Sequence, residues 1–282
     1  EEDYVIASDT DSIYLNLGPL VDKFFANKSS DKAKVVELLD MVCRDKLEPY
    51  IDKCYNDLAT YVSAYDQKMQ MKRENIADRG IWTAKKRYIL NVWNSEGVQY
   101  SEPKLKMMGI EAVKSSTPAP CRKMIKDALK LMMSGTEEEV IDFIDKSRAE
   151  FKSLPPEQIS FPRSVSDVVK YKSSSSIYIK GTPIHCRGAL LFNHYIKKNK
   201  LDNKYSLIKN GEKIKFCYLK KPNPMHENVI SFIQDFPKEL DIDKYLDYDL
   251  QFEKSFVEPL KAILDAIGWN VEKTVNLELF FS

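Results

Sequence analysis

The chain opens on two short runs of β-forming residues that flank a polar tip. Residues 5–7 and 13–15 are rich in β-branched and aromatic side chains, and Asp-Thr-Asp-Ser lies between them at 9–12. This pattern predicts a β-hairpin whose turn is the polar tip. Asp9 and Asp11 are two positions apart, so an extended backbone would place both carboxylates on one side.

A long helical pattern follows the hairpin, and a β-pattern follows the helix. Apolar residues recur at helical spacing from Val35 to Tyr65, and we expect this segment to be kinked or divided at Pro49. Between 69 and 112 the stretch "GIWTAKKRYILNVWNSEGVQY" predicts strands, with a turn at 95–97. The periodic helical positions are Val35, Leu38, Val42, Leu47, Ile51, Cys54, Leu58, Val62 and Tyr65.

The rest of the chain has mainly helical patterns. One predicted helix ends at Gly135, and Thr136 with Glu139 forms a capping-box pattern for the next, which stops before 155–156. Further helices are expected at about 187–198 and 246–267, and Asn-Gly at 210–211 predicts a β-hairpin. The predicted fold class is α+β, with helices on one face of an antiparallel sheet, followed by a mainly helical module with a small hairpin.

Composition limits the class of protein. The 282 residues are 43% hydrophobic and 30% charged, which suits a globular protein with one large domain or two modules. No apolar run approaches a membrane span, and the start does not resemble a signal peptide. The five cysteines form no C-x-x-C motif, so reduced thiols in an intracellular protein are expected.

Charge is segregated along the chain, although the net charge is only +1. Residues 68–130 hold 14 Lys and Arg against six Asp and Glu, and residues 170–221 hold 13 against two. Such blocks could be solvated faces. With tyrosine and phenylalanine interleaved, they indicate a polyanion such as nucleic acid lying across part of the surface.

Two motifs carry candidate chemistry. The carboxylates of Asp9 and Asp11 are hard oxygen ligands that suit Mg²⁺ or Mn²⁺, although Asp-Thr-Asp-Ser is also an ordinary turn composition. Residues 85–88, Lys-Lys-Arg-Tyr, are expected in a strand that sends Lys86 and Tyr88 to one face, where a mobile charge and a ring suit phosphates and groove edges. The three histidines have no metal-binding spacing.

These motifs occur in a recognisable order. The Asp-Thr-Asp hairpin, Lys-Lys-Arg-Tyr, "PKLKMMGIEAVKSSTP" and "HCRGALLFNHYI" resemble the C-terminal part of a family B replicative DNA polymerase of the T-even-type bacteriophages. The resemblance implies a partial palm domain at 1–112, a thumb at 113–269 and a clamp-binding tail at 270–282. It also implies a location in the cytoplasm of the infected host, with no membrane partner.

The resemblance implies roles for individual residues. Asp11 would be the principal ligand of two catalytic Mg²⁺ ions, Asp9 a peripheral one, and Glu74 an acidic residue near that site. Lys86 and Tyr88 would hold the primer end, and His185 would help present Arg187 to the DNA backbone. The implied DNA-binding residues are Thr10, Lys85, Lys86, Arg87, Tyr88, Lys114, Ser115, Ser116, Thr117, Lys170, Tyr171, His185 and Arg187, and those implied to bind the sliding clamp are Leu277, Leu279, Phe280 and Phe281.

Several parts of such a polymerase have no match in this chain. The other metal-binding aspartate, the fingers helix that binds the incoming nucleotide, and the proofreading exonuclease all precede the Asp-Thr-Asp motif in the family. A two-metal site would therefore need a carboxylate from an N-terminal part, and we expect no polymerisation by this chain alone. The chain is expected to be either trimmed from a longer one or half of a split polymerase.

Two other readings remain open. Asp-x-Asp is also a metal-nucleotide motif of glycosyltransferases, although that reading leaves the basic blocks unexplained. A non-catalytic module that binds DNA and tethers a clamp explains the basic blocks as well as the polymerase does.

Overall fold

The computed structural model describes residues 4–25 and 31–272, which fall into two compact units, Glu1–Met108 and Gly109–Ser282. We call them unit 1 and unit 2. Both combine helices with antiparallel strands, so the mixed class predicted from the pattern is confirmed. Within the described ranges, none of the helices has the length and apolarity needed to span a membrane.

Unit 1 begins with the predicted hairpin. Strand β1, Val5–Asp9, pairs antiparallel with β2, Ser12–Leu15. The turn at its tip falls where it was predicted, and the backbone there is not extended: Thr10 has a φ of 46° and the Asp11 N–H donates to the Asp9 carbonyl at 2.6 Å, so the condition for placing both carboxylates on one side is not met. A two-residue connection has to reverse the chain, so Asp9 closes the strand while Asp11 belongs to the turn.

Helices follow the hairpin. Helix α1 spans Gly18–Phe25, α2 spans Lys32–Val42 and α3 spans Glu48–Tyr61, with one wide π-helical turn over Cys43–Leu47. Pro49 has no N–H to donate to the carbonyl four residues earlier, which accounts for the wide turn before it. An irregular turn thus lies just before Pro49, where the sequence predicted a kink or a division, and helical backbone continues through it from Lys32 to Tyr61.

The sheet of unit 1 has the order β3-β4-β5, with β3 at Asn75–Ala84, β4 at Arg87–Ser95 and β5 at Val98–Met108. Glu96 and Gly97 form the expected turn, both with positive φ. The prediction that residues 85–88 lie in one strand is wrong. Lys85 and Lys86 instead form a second tight turn, with Lys86 at a φ of 60° and Ala84 paired with Arg87.

One arginine connects the helices of unit 1 to this sheet. The Arg73 guanidinium pairs with Asp40 of α2 and donates to the Asn94 side chain of β4 at 2.8 Å. The Arg73 backbone N–H donates to Glu48 of α3 at 2.9 Å. The Arg73 side chain is only 12% exposed, so these partners compensate a charge that is largely removed from water.

Unit 2 holds the helices predicted from the sequence. Helix α4 is Ala119–Ser134, and α5, Glu137–Lys152, begins with both hydrogen bonds of the predicted Thr136–Glu139 capping box. The remaining helices are α6 at Pro156–Ile159, α7 at Ile184–Lys198, α8 at Tyr248–Phe252 and α9 at Glu258–Leu264. A π-helical turn joins the last two, and a short 3₁₀ turn leads to Gly268.

Unit 2 also contains a three-stranded antiparallel sheet, where the sequence predicted a hairpin at 210–211. Strand β7, Lys213–Tyr218, lies between β6, Phe161–Ser164, and β8, Val229–Phe232. The segment before Asn210 is no strand because both backbone groups of Ile208 bond to the side-chain amide of Asn193 on α7. The predicted hairpin is therefore wrong, although the chain does turn there.

Helix α7 lies directly against β8, and a glycine permits this contact. A Cβ at Gly188 would come within 2.4 Å of the Ser231 Oγ and 2.9 Å of the Ser231 backbone nitrogen. The Ser231 hydroxyl in turn donates to the His185 carbonyl at 2.9 Å. The contact fixes the position of α7 on the core of unit 2.

Replacing Arg73 by alanine tests the connection in unit 1. We expect the free energy of opening β3–β5 to fall by about 2 kcal/mol, because Asp40 and Asn94 lose their partner in a mostly buried place. Hydrogen exchange of peptides from β4 measures this loss. The matched control is Arg79→Ala, which removes an exposed arginine from the same part of the chain and should leave exchange unchanged. Equal exchange in both variants would contradict the assignment.

Candidate metal and nucleic-acid site

The hairpin tip of unit 1 holds its two carboxylates differently. The Asp9 carboxylate accepts from the Thr10 hydroxyl at 3.2 Å, and its backbone carbonyl accepts from the Asp11 N–H and the Ser12 hydroxyl. Asp11 is exposed, and no hydrogen bond or ion pair of its carboxylate is found among the described residues. Asp9 is therefore fixed by its neighbours, whereas the Asp11 carboxylate is available to a ligand.

The two motifs predicted to carry chemistry meet in unit 1. The Lys86 ammonium lies 3.7 Å from the Asp9 carboxylate, with the two side chains 61% and 29% exposed. This contact joins the β1–β2 turn to the β3–β4 turn, which are more than seventy residues apart in the sequence. An exposed pair contributes little to stability, so its main effect is to place a positive charge beside the hairpin tip.

The sequence pattern did not single out Tyr14 and Trp82, two aromatic residues that pack with Tyr88 beside the hairpin tip. The Tyr14 ring lies edge-on to Trp82 and Tyr88, with ring centroids 5.4 and 5.5 Å apart. Tyr88 is only 7% exposed, and burial, a hydrogen bond with Tyr14 and the charges of Glu74 and Asp9 all raise its pKa. Tyr14 lies on β2 just after the motif, and Trp82 and Tyr88 are cross-strand partners on β3 and β4, so the large aromatics beside the two motifs were the available signal.

Glu74 lies just before β3 and pairs with Lys106 of β5. The hydrogen bond from Lys106 is the main cause that lowers the pKa of Glu74, and the Lys106 charge acts in the same direction. Glu74 is close enough to raise the pKa of Tyr88 by its charge. Asp9 and Lys86 thus share one neighbourhood at the hairpin tip, and the charges of Asp9 and Glu74 both act on Tyr88.

This neighbourhood suits a divalent cation only in part. The carboxylates of Asp9 and Asp11 have the hard oxygen donors that Mg²⁺ prefers. However, no group of three possible metal ligands occurs within residues 4–25 and 31–272. A complete site would need oxygen ligands beyond those that the described chain brings together.

The predicted DNA-binding residues at 114–117 in unit 2 differ in how far they are exposed and free to contact DNA. Lys114 is half-buried and pairs with Glu111 at 2.8 Å, and Ser115 is exposed. The Ser116 carbonyl accepts from Arg163 at 2.9 Å, and Thr117 is buried beside the start of α4. Ser115 is therefore the freest of the four, and a DNA contact by any of them stays a prediction.

The second predicted group lies around the start of α7. Lys170 is exposed and its ammonium is 5.9 Å from the Tyr171 ring centre. Arg187 donates to Asn228 at 2.6 Å, and its guanidinium is 5.7 Å from the Tyr178 ring. His185 instead lies near Phe216, 6.4 Å between ring centres, and burial followed by the Arg163 charge lowers its pKa.

His185 and Arg187 thus have different surroundings, and no hydrogen bond joins them. The Tyr178 hydroxyl donates to Glu227 at 2.7 Å, and Arg187 contacts both the Tyr178 ring and Asn228. These contacts connect the serine-rich segment to the loop before β8. The predicted clamp-binding residues lie outside the described part of the chain and are Leu277, Leu279, Phe280 and Phe281.

Comparison with known proteins agrees with the motif resemblance. No family model matches the chain. It is 34% identical over 289 residues to a DNA-directed DNA polymerase of Escherichia phage RB69, and 29% identical over 293 residues to one of Enterobacteria phage T4. The matches cover 98% and 100% of this chain but 32% of each relative, so the chain spans about a third of the length of the curated relatives it matches.

Replacing Lys106 by methionine tests the electrostatics of this site. We expect the pKa of Glu74 to rise towards its ordinary value, because the variant removes both the hydrogen bond and the positive charge that lower it. A pH titration of the Glu74 carboxyl carbon by NMR measures the change. Lys104→Met is the matched control, since Lys104 lies 4.0 Å over the Tyr100 ring instead. An unchanged titration of Glu74 in Lys106→Met would contradict the pairing.

Proposed function

We propose that this chain, which is related along its whole length to the DNA polymerases of T-even-type phages, is part of a family B DNA-directed DNA polymerase. Residues 1–112 would belong to the palm, 113–269 to the thumb and 270–282 to a clamp-binding tail. The observation that carries the proposal is the meeting of the Asp-Thr-Asp turn with the Lys-Lys-Arg-Tyr turn through Asp9 and Lys86. In this proposal, the polymerase acts in phage DNA replication, in the cytoplasm of the infected host.

The two aspartates have separate roles in this proposal. Asp11, whose carboxylate is exposed and without a partner in the described structure, binds Mg²⁺ directly, and Asp9, held by Thr10 and Lys86, shapes the charge beside it. When bound, Mg²⁺ neutralises charge that develops on phosphate oxygens during nucleotidyl transfer. Glu74 adds a further negative charge nearby, which Lys106 holds in its ionised form.

The basic and aromatic residues hold the primer-template in this proposal. Lys85 and Lys86 are exposed at a tight turn, where long side chains can reach phosphates or a groove edge. Tyr88 is buried and the charges of Asp9 and Glu74 act on its hydroxyl, so it contacts the end of the primer only where DNA reaches the hairpin tip. Lys170 and Arg187 in unit 2 contact the duplex backbone.

The rest of the polymerase completes the site. A carboxylate and the nucleotide-binding groups absent from this chain come from an N-terminal part, so the chain alone does not incorporate dNTPs. An open cavity of about 580 Å³ in unit 1 supports this, because Ile13, Leu39, Ile76 and Trp82 line it without filling it. The lining also includes charged residues such as Asp11, Arg73 and Glu74, so the cavity suits a polypeptide segment that carries both apolar and polar side chains.

A second candidate is a non-catalytic module that binds DNA and tethers the clamp. The two basic blocks, residues 68–130 and 170–221, support it as well as they support the polymerase. Assays of the chain with and without the remaining part of the polymerase separate the two. Metal-dependent incorporation only in the combined sample supports the polymerase, and DNA binding without incorporation in both samples supports the module.

The first prediction from this proposal concerns Asp11. In the combined enzyme, Asp11→Asn should lower incorporation by several orders of magnitude, since a metal ligand loses its charge, while primer-template binding survives. Asp9→Asn is the matched comparison and should be milder, because Asp9 is already held by Thr10 and Lys86. Primer-extension rates measure both, and an Asp11→Asn rate within about threefold of the wild type would refute the role.

The second prediction concerns salt. If the basic blocks bind phosphates, the affinity of the chain for primer-template should fall steeply as salt rises, because each neutralised phosphate releases counterions. Lys86→Ala should weaken binding to all sequences alike and reduce the slope by about one. Lys53→Ala, an exposed lysine on α3 outside both blocks, is the control. A flat plot of log affinity against log salt for the wild type would exclude phosphate binding by these blocks.

A further inference from the structure

Exposed apolar side chains are unevenly distributed between the two units. Among the described residues, the large hydrophobic side chains left exposed in unit 2 are Val113, Val169 and Ile179, and all the others lie in unit 1. Unit 2 encloses an extensive core around α7 and its sheet. Isolated exposed apolar residues are normal, but a concentration in one unit indicates a surface that another polypeptide covers.

The clearest such surface is on helix α3. Tyr50, Cys54, Leu58 and Tyr61 follow one another at intervals of four, four and three residues, within an arc of about 80° of the helix. All four are exposed, and Tyr61 is 86% exposed. We call these four residues the α3 stripe.

Apolar residues recur at helical spacing from Val35 to Tyr65, which predicts an apolar face along this segment. Val35, Leu38 and Leu47 are partly buried, whereas Cys54 and Leu58 on α3 are exposed, as are Val62 and Tyr65 just after it. The apolar side chains of α3 therefore extend beyond the face that packs against the rest of unit 1.

Charge argues against nucleic acid as the occupant. Residues 44–68, which include α3, contain four basic and five acidic side chains, unlike the basic blocks elsewhere. A polyanion would gain no counterion release on a nearly neutral surface. Tyrosine with aliphatic neighbours is instead typical of the centre of a protein interface.

The size of the surface fits one side of such an interface. Including Val62 and Tyr65, the exposed apolar area is on the order of 600 Å² from the usual areas of these side chains. Each partner in a stable complex buries roughly 800 Å². The α3 stripe together with these two residues is thus large enough to be the apolar centre of a docking surface.

We propose that the α3 stripe docks on an apolar surface of the remaining part of the polymerase. This inference rests on the proposed function, because the curated relatives are about three times as long as this chain and most of their length is not represented in it. The stripe lies in unit 1, which also contains the open cavity lined in part by Ile13, Leu39 and Trp82. The partner surface is a protein face rich in aliphatic or aromatic side chains.

A cysteine within the stripe provides a direct probe. Cys54 is exposed, whereas burial raises the pKa of Cys121 to about 11 and that of Cys217 to about 12, and also raises those of Cys43 and Cys186. A thiol reagent should therefore label Cys54 first in the free chain. After addition of the separately expressed remainder of the polymerase, labelling of Cys54 should slow at least tenfold.

Substitutions in the stripe test the same contact by affinity. The double variant Leu58→Ser with Tyr61→Ser should weaken association with the remainder at least tenfold, while Tyr61→Phe should retain it. Val98→Ser is the matched control, because Val98 is an exposed apolar residue of unit 1 outside the stripe. Circular dichroism should be unchanged in all three, since the altered side chains are exposed.

The outcomes separate this inference from the proposed function. If the combined wild-type sample incorporates dNTPs but Cys54 labels at its free rate and the double variant associates normally, the docking surface is wrong and the polymerase stands. If neither association nor incorporation occurs in the wild type, both proposals fall. If Cys54 is protected by self-association of the chain alone, the stripe is a homodimer contact and the inference is overturned.

Discussion

The charge of Arg73 is the constraint on which the arrangement of unit 1 depends. A guanidinium that is mostly removed from water needs partners at fixed positions, and here they come from α2 and from β4. The Arg73 backbone N–H donates to the Glu48 side chain, so Arg73 also fixes the position of α3. Glu74 is the next residue after Arg73. The backbone that carries the Glu74–Lys106 pair is therefore already held in place by the contacts of Arg73.

The hairpin tip shows how a local turn divides two chemically equal residues. A strict strand would make Asp9 and Asp11 equivalent, but the reversal at Thr10 leaves one at the end of β1 and the other in the turn. The Asp9 carboxylate is held by the Thr10 hydroxyl and the Lys86 ammonium, whereas the Asp11 carboxylate is open to solvent. The difference in role inferred from resemblance thus has a structural counterpart in the hydrogen bonding of this chain.

Local signals in the sequence predicted local structure well. The first hairpin, the turn at Glu96-Gly97 and the Thr136–Glu139 capping box follow from short-range sterics and hydrogen bonding. The turn at Lys85-Lys86 has neither glycine nor asparagine, so nothing in its composition signalled it. The Asn-Gly signal at 210–211 failed because Asn193, distant in sequence, takes the backbone groups that a strand partner would need. The meeting of Lys86 with Asp9 is equally non-local, and only the folded chain shows it.

The contact at Gly188 makes one position of α7 intolerant of any side chain. At this position the helix lies against the backbone of β8 and the Ser231 hydroxyl, so even a methyl group would force the helix away from the sheet. Arg187 is the neighbouring residue, and its reach to Asn228 depends on that distance. A mutation at a position without any side chain would therefore redirect a charged group that it never touches. The mutational tolerance of Arg187 cannot be understood apart from that of Gly188.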